Sequence, residues 1–113
     1  MKKLALLFIS FALAFAAYST TEAKSHIGEY AEVCGKVYGV YHHRNGHLFL
    51  NLDGRYPHQK MTVVIWKEYV DNFDSIRFKN RRICVQGRIR CYKGKPEIFL
   101  KSRSQLKMQR GRR

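Results

Sequence analysis

The sequence predicts an all-β domain: a five-stranded Greek-key barrel with a short helical connection between the third and fourth strands. Three observations carry that expectation. Five short segments are rich in Val, Ile, Leu and Tyr or alternate in hydropathy, and turn residues separate most of them. The alternation breaks between the third and fourth segments, in "KEYVDNFDSIRFKN". Closing the sheet also removes exposed strand edges that a small chain would otherwise carry.

The N-terminus is read first because it bounds the domain. Lys2 and Lys3 precede an almost uninterrupted apolar run from Leu4 to Ala17, followed by small polar residues. That is the layout of a secretory signal peptide, and the run is shorter than the ~20 residues of a membrane span. Cleavage is expected after Ala14-Phe15-Ala16 or after Thr21-Glu22-Ala23. The second is favoured, because the strand pattern begins soon after it. The expected organisation is therefore a signal peptide over residues 1–23, a domain over 24–106 and a flexible basic tail over 107–113. Export, periplasmic or beyond the cell, permits disulfides.

Residues 30–41, "YAEVCGKVYGVY", read as a long curved strand in which Gly35 and Gly39 allow bending. Asn45-Gly46 marks a turn. Residues 47–52 form the second strand, with Leu50 and Leu52 inward and Phe49 outward. A loop around Asp53-Gly54 and Pro57 leads to the third strand, residues 61–66. Tyr69, Val70 and Phe73 then suit a short helix capping one end of the sheet. In residues 82–92, Ile83, Val85, Gly87, Ile89 and Cys91 share one face, with Arg82, Cys84, Gln86, Arg88 and Arg90 on the other. On that alternation Cys91 is a buried free thiol. A turn at Gly94 precedes the fifth strand, residues 97–100.

Charge is the strongest compositional signal. The chain carries a net charge of +14. Residues 24–76 hold equal numbers of acidic and basic side chains, whereas beyond residue 76 Glu97 is the single acid among many Lys and Arg. A neutral first half and a strongly basic second half suit a polyanionic partner: nucleic acid first, then acidic glycans or anionic membrane surfaces.

The segments "VCGKV", "FLNLDGRYPHQKMTVVIW", "RICVQGRI" and "KGKPEIFLKSRSQL" together resemble the OB-fold nucleic-acid-binding family. The resemblance is to anticodon-binding-type OB domains and, more narrowly, to small exported bacterial OB proteins. It implies a ligand lying across the second and third strands, between the loops joining strands one to two and four to five. That face would hold Phe49 and Asn51, with Thr62, Val64 and Trp66 as one phase of the third strand. The other phase (Met61, Val63, Ile65) is equally apolar, so the facing of Trp66 stays open. The first loop would supply His42, His43 and Arg44, and the second Tyr92, Lys93 and Lys95. Phe49, Trp66 and Tyr92 are the candidates for base stacking, and Arg44, Arg88, Lys93 and Lys95 for phosphates.

In such a barrel the first and fourth strands are neighbours. Cys34 and Cys84 each lie opposite their strand's main apolar set, which implies a disulfide between them. No metal site is expected: His42, His43, His47 and His58 lie in glycine-containing loops with no cysteine nearby. No catalytic motif is present, so no enzyme activity or cofactor is expected. The expected function is an exported OB-fold module that binds DNA or RNA with little sequence preference. The alternative is an exported OB protein that recognises an anionic glycan, a lipid headgroup or a protein partner.

Overall fold

A computed structural model of the chain describes residues 15–109. The basic and apolar start of the expected signal peptide, before Phe15, and the end of the expected tail, Arg110 to Arg113, lie outside the described residues.

The domain is mostly β. Its elements in chain order are β1 (Ala17–Ser19), α1 (Thr20–Ala23), β2 (Tyr30–His42), β3 (Leu48–Leu52), β4 (Met61–Ile65), a 3-10 helix (Lys67–Phe73), β5 (Arg82–Arg88), β6 (Arg90–Tyr92), β7 (Lys95–Phe99), a second 3-10 turn (Arg103–Gln105) and β8 (Leu106–Met108). The strands join in the order β6-β7-β4-β3-β2-β5-β8, with β1 beside β2. Ladders β1–β2 and β4–β7 are parallel. The five other ladders are antiparallel.

The long strand β2 organises the sheet. Its first half, Tyr30 to Lys36, pairs with β5, and its second half, Val37 to His42, pairs with β3. The register shifts between Val37 and Gly39, a bulge that bends the strand from one half to the other. Gly35 is required for a different reason from bending. A Cβ there would lie 2.7 Å from Asp53 Oδ2 and 2.8 Å from Thr20 Cγ2. The core collects the inward phase of each strand: Val33 and Val37, Leu50 and Leu52, Val63 and Ile65, Ile83 and Val85, Ile98 and Leu100. Phe73, from the expected helical connection, is buried among the same core residues.

Four expectations are corrected. The sheet has eight strands rather than five, and it is open rather than a closed barrel. Strand β5 pairs with β8 over Ile83 to Val85, and no ladder joins it to β7 among the described residues. The two strands instead meet at Gly87, where a Cβ would come within 2.6 Å of Ile98 Cγ2.

Residues before Lys24 also pack on the sheet. Residues Ala17 to Ser19 pair with Glu32 to Cys34. Ser19 and Glu22 form a reciprocal capping box on α1, Thr20 donates to Asp53 Oδ2 at 2.6 Å, and Ala23 is wholly buried. At the other end, Lys107 and Met108 belong to β8 rather than to a tail, and Lys107 Nζ lies 3.5 Å from Glu32 Oε2.

Finally, Cys91 is exposed. Ile89 accepts from Gly28 N at 2.7 Å and donates to Glu29 O at 2.8 Å. Ile89 is buried, as the alternation expects, and the chain bonds there to the Gly28–Glu29 turn before the alternation breaks. Residues Arg90 to Tyr92 then leave the core as an edge strand, all three exposed. The expected disulfide is present: Cys34 and Cys84 are directly paired across β2 and β5 and bonded at 2.05 Å.

Candidate nucleic-acid interface

On the outward face of β2, β3, β4 and β7, the strand register aligns residues into two transverse rows. One row is Tyr41, Phe49, Val64 and Phe99. The next is Gly39, Asn51, Thr62, Glu97 and, on β6, Arg90. Side chains directly opposite on paired strands share a face. A largely aromatic row therefore lies beside a polar one, and Gly39 keeps the polar row open at its β2 end.

From Tyr41 to Val64 and from Gly39 to Glu97 these rows floor a groove of ≈ 1250 Å³; Phe99 and Arg90, at their ends, lie outside its lining. The β2–β3 loop closes one end of the aromatic row. Its rings are held by the backbone: His43 Nδ1 accepts from Asn45 N at 3.1 Å, and His47 Nδ1 from Lys67 N at 3.0 Å. The Trp66 ring stands edge-on to His47 at 4.8 Å and to Phe99 at 5.3 Å. Trp66 is half-buried and faces the groove with Thr62 and Val64, which settles its phase.

The polar row ends in a fixed lysine. Lys95 Nζ donates to Gln59 Oε1 at 3.2 Å and to the Pro57 carbonyl, and Gln59 Nε2 donates to Thr62 Oγ1 at 3.2 Å. Lys93, Arg55 and Lys79 add further positive charge around the groove, and Glu97 is the one acid lining it among the described residues. Burial pushes the Glu97 carboxyl above the usual carboxylate range, and the nearby Arg90 charge offsets only part of that rise. Tyr41, Tyr92 and Tyr56 are all well exposed, Tyr56 at 76%. Lys93 Nζ lies 5.4 Å over the Tyr92 ring, and Tyr41 packs beside His43 and Phe49.

Of the residues singled out in the sequence, Phe49, Asn51, Trp66, Tyr92, Lys93 and Lys95 all line this groove. Two do not. Arg44 is exposed in its loop and does not line the groove, and Arg88 lines a separate notch beside Phe99, where its guanidinium donates to the Gly28 carbonyl at 2.5 Å. Tyr38, Tyr41, Arg55, Tyr56 and Glu97 were not singled out, yet they line it. The alternation of β2 could have found Tyr41, which sits one strand over from Phe49. Tyr56 and Arg55 lie in an irregular loop, where no periodicity points to a face.

No protein-family model matches the chain, and no curated protein sequence does. Solved structures do. A chain described as an aspartyl-tRNA synthetase of Leishmania major Friedlin superposes with a TM-score of 0.59 at 10% identity, over 91% of this chain and 22% of that one. The Stn1–Ten1 complex of S. pombe matches with a TM-score of 0.52 at 16% identity, over 73% of this chain and 59% of that one. This chain thus spans about a fifth of the first protein's length and less than two thirds of the second's. At these identities the likeness is one of fold. Together with the all-β topology, it makes the domain an OB-type fold.

Proposed function

We propose that the domain is a nucleic-acid-binding module that holds a single strand along the β2–β3–β4–β7 groove with little sequence preference. The observation that carries this reading is the pairing of aromatic rings with cationic side chains along one groove. Tyr41, Phe49 and Trp66 offer faces and edges for bases, while Lys93 and Lys95 offer charge for phosphates. The two structures named above contain OB folds, one of them described as an aspartyl-tRNA synthetase, and that supports the same class of ligand. The domain is read as a binder, not an enzyme.

Fluorescence anisotropy with labelled oligonucleotides at two salt concentrations tests the proposal. Binding that weakens steeply with salt is expected. No binding at low salt would refute it. Binding abolished by heparin but not matched by any oligonucleotide would point to an acidic glycan instead.

Export belongs to the same proposal. Cleavage after Ala16 would keep β1, the Ser19–Glu22 capping box, the Thr20–Asp53 bond and the buried Ala23. Cleavage after Ala23 would remove all four. The packing therefore favours the Ala14-Phe15-Ala16 site over the later one. Intact mass of the protein recovered from a periplasmic extract tests this: a chain starting at Ala17 is expected, and one starting at Lys24 would overturn it.

A further inference from the structure

The gap left between β5 and β7 is itself a notch of ≈ 380 Å³. It opens on the far side of Phe99 from the groove. Arg88, Arg90 and Lys101 line it with Tyr30, and among the described residues no acidic side chain does. The Arg90 guanidinium lies 4.7 Å over the Phe99 ring. The other neighbour of that ring is Trp66, in the groove, with the centroids 5.3 Å apart. Phe99 in the notch and Trp66 in the groove thus join two concavities through their rings, one aromatic and polar, the other cationic.

We infer that the unclosed seam is a second nucleic-acid subsite, and that one strand runs from the groove over Trp66 and Phe99 into it. This rests on the groove reading above and extends it. Three features support a nucleic-acid strand as the occupant. The seam is contiguous with the groove through Trp66 and Phe99. Arg90 stacked on an aromatic ring leaves its N–H edge free to bind a phosphate in the plane of the guanidinium. Arg88 is already held by the Gly28 carbonyl, so its charge stays in place without ordering on binding. A closed barrel would have filled this position with a strand ladder.

The seam also explains a mismatch in charge. Glu97 lines the groove among its positive side chains, whereas no acid lines the seam, where Arg90 alone stands opposite Glu97 across β6 and β7. Short ligands would fill the groove alone and feel the weaker field. Longer ligands would reach the seam and gain the stronger one.

The test is affinity against length, with thymidine oligomers of about 4 to about 16 nucleotides, the range an OB fold occupies. The wild-type domain should gain affinity over an intermediate length and then level off. The double variant Arg90→Ala, Lys101→Ala should bind the shortest oligomers like wild type and lose the gain. Its salt slope with long oligomers should fall by about 1.4, roughly 0.7 for each lost single-strand phosphate contact. Arg90→Lys, which keeps charge but not the planar stack, should restore part of the gain to the Lys101→Ala background. An equal loss at every length, or no loss at any, would overturn the inference. If no oligomer of any length binds either protein, the groove reading falls and the subsite with it. Circular dichroism confirms that each variant is folded.

Discussion

The side chain of Gln105 bridges Gln86 and Phe99: its amide nitrogen donates to the Gln86 carbonyl at 2.8 Å and to the Phe99 carbonyl at 3.0 Å. Those carbonyls belong to β5 and β7, which share no ladder. The Gln105 oxygen accepts from Lys101 N at 2.8 Å and from Ser102 N at 3.1 Å. One amide therefore ties both sides of the open seam and caps the turn that leads into β8. Gln105→Leu should cost about 1–3 kcal/mol, because it leaves part-buried polar groups unpaired. Gln105→Glu keeps the accepting oxygens and loses the donor, so most of the loss should persist. Urea unfolding of the two variants measures both. A Glu variant as stable as wild type would mean that the capping bonds, and not the bridge, matter.

The base-stacking surface gives a separate expectation. Trp66→Ala and Phe49→Ala should each weaken single-strand binding by about 1–3 kcal/mol, roughly 5- to 150-fold. Duplex binding should fall less, because duplex bases are already stacked. Equal losses on single strands and duplexes, read by anisotropy, would leave charge as the sole contribution.

Glu97 makes binding and stability depend on pH. Burial raises its folded pKa above the unfolded value of roughly 4.3. The folded state thus holds the proton more tightly than the unfolded chain does. That stabilising contribution is fully present below the unfolded pKa and is lost as pH rises through the folded value. Glu97→Gln should flatten this dependence in chemical unfolding across mildly acidic pH. At neutral pH it should also tighten polyanion binding by up to about fivefold, by removing a like charge worth roughly 1 kcal/mol at most.

The Cys34–Cys84 bond closes a loop with a sequence separation of 50. Replacing both cysteines with serine should lower stability by about 2–4 kcal/mol, chiefly by freeing the unfolded chain. The groove uses the second half of β2, from Tyr38 on, whereas Cys34 lies in the half paired with β5, so oligonucleotide affinity of the folded variant should stay close to that of wild type at 25 °C. A large affinity loss in a folded double-serine variant would contradict this separation of fold and site.

The N-terminal segment can be tested apart from export. Thr20→Val should cost about 1–2 kcal/mol, since Asp53 would keep the Lys36 amide, at 3.0 Å, but lose its hydroxyl partner. A purified chain starting at Lys24 should melt well below one starting at Ala17. Matching melting temperatures would show that β1 and α1 add nothing to the domain.

Much of this architecture was legible in the residues. Alternation placed Leu50, Leu52, Ile83 and Val85 in the core and Cys34 and Cys84 in the opposite phase; the family resemblance made their strands neighbours. The turn signal at Asn45-Gly46 and the Tyr69–Phe73 spacing were also informative. What escaped the sequence depends on pairing between distant segments. Ala17 to Ser19 is small and follows an apolar run, so composition assigns it to a leader, and only its alignment with Glu32 to Cys34 makes it a strand. Leu106 to Met108 looks polar because Lys107 points outward, and the strand exists because β5 has a free edge there. Cys91 was misplaced because alternation cannot register the bend at Ile89, which bonds to the Gly28–Glu29 turn. Among site residues, Phe49 and Asn51 were legible from strand phase. Arg88 was not, because its face depends on where the sheet fails to close.

The single strand β2 has a consequence for how the domain comes apart. It hydrogen-bonds to β5 with its first half and to β3 with its second, with the bulge at Tyr38 between them. Neither half of the sheet owns a complete set of neighbours without it. The cystine side and the groove side should therefore melt in one transition, and slow amide exchange should be shared across Val33 and Val40 alike. A ligand clamped on the groove would then protect amides beside the disulfide, although it touches none of them.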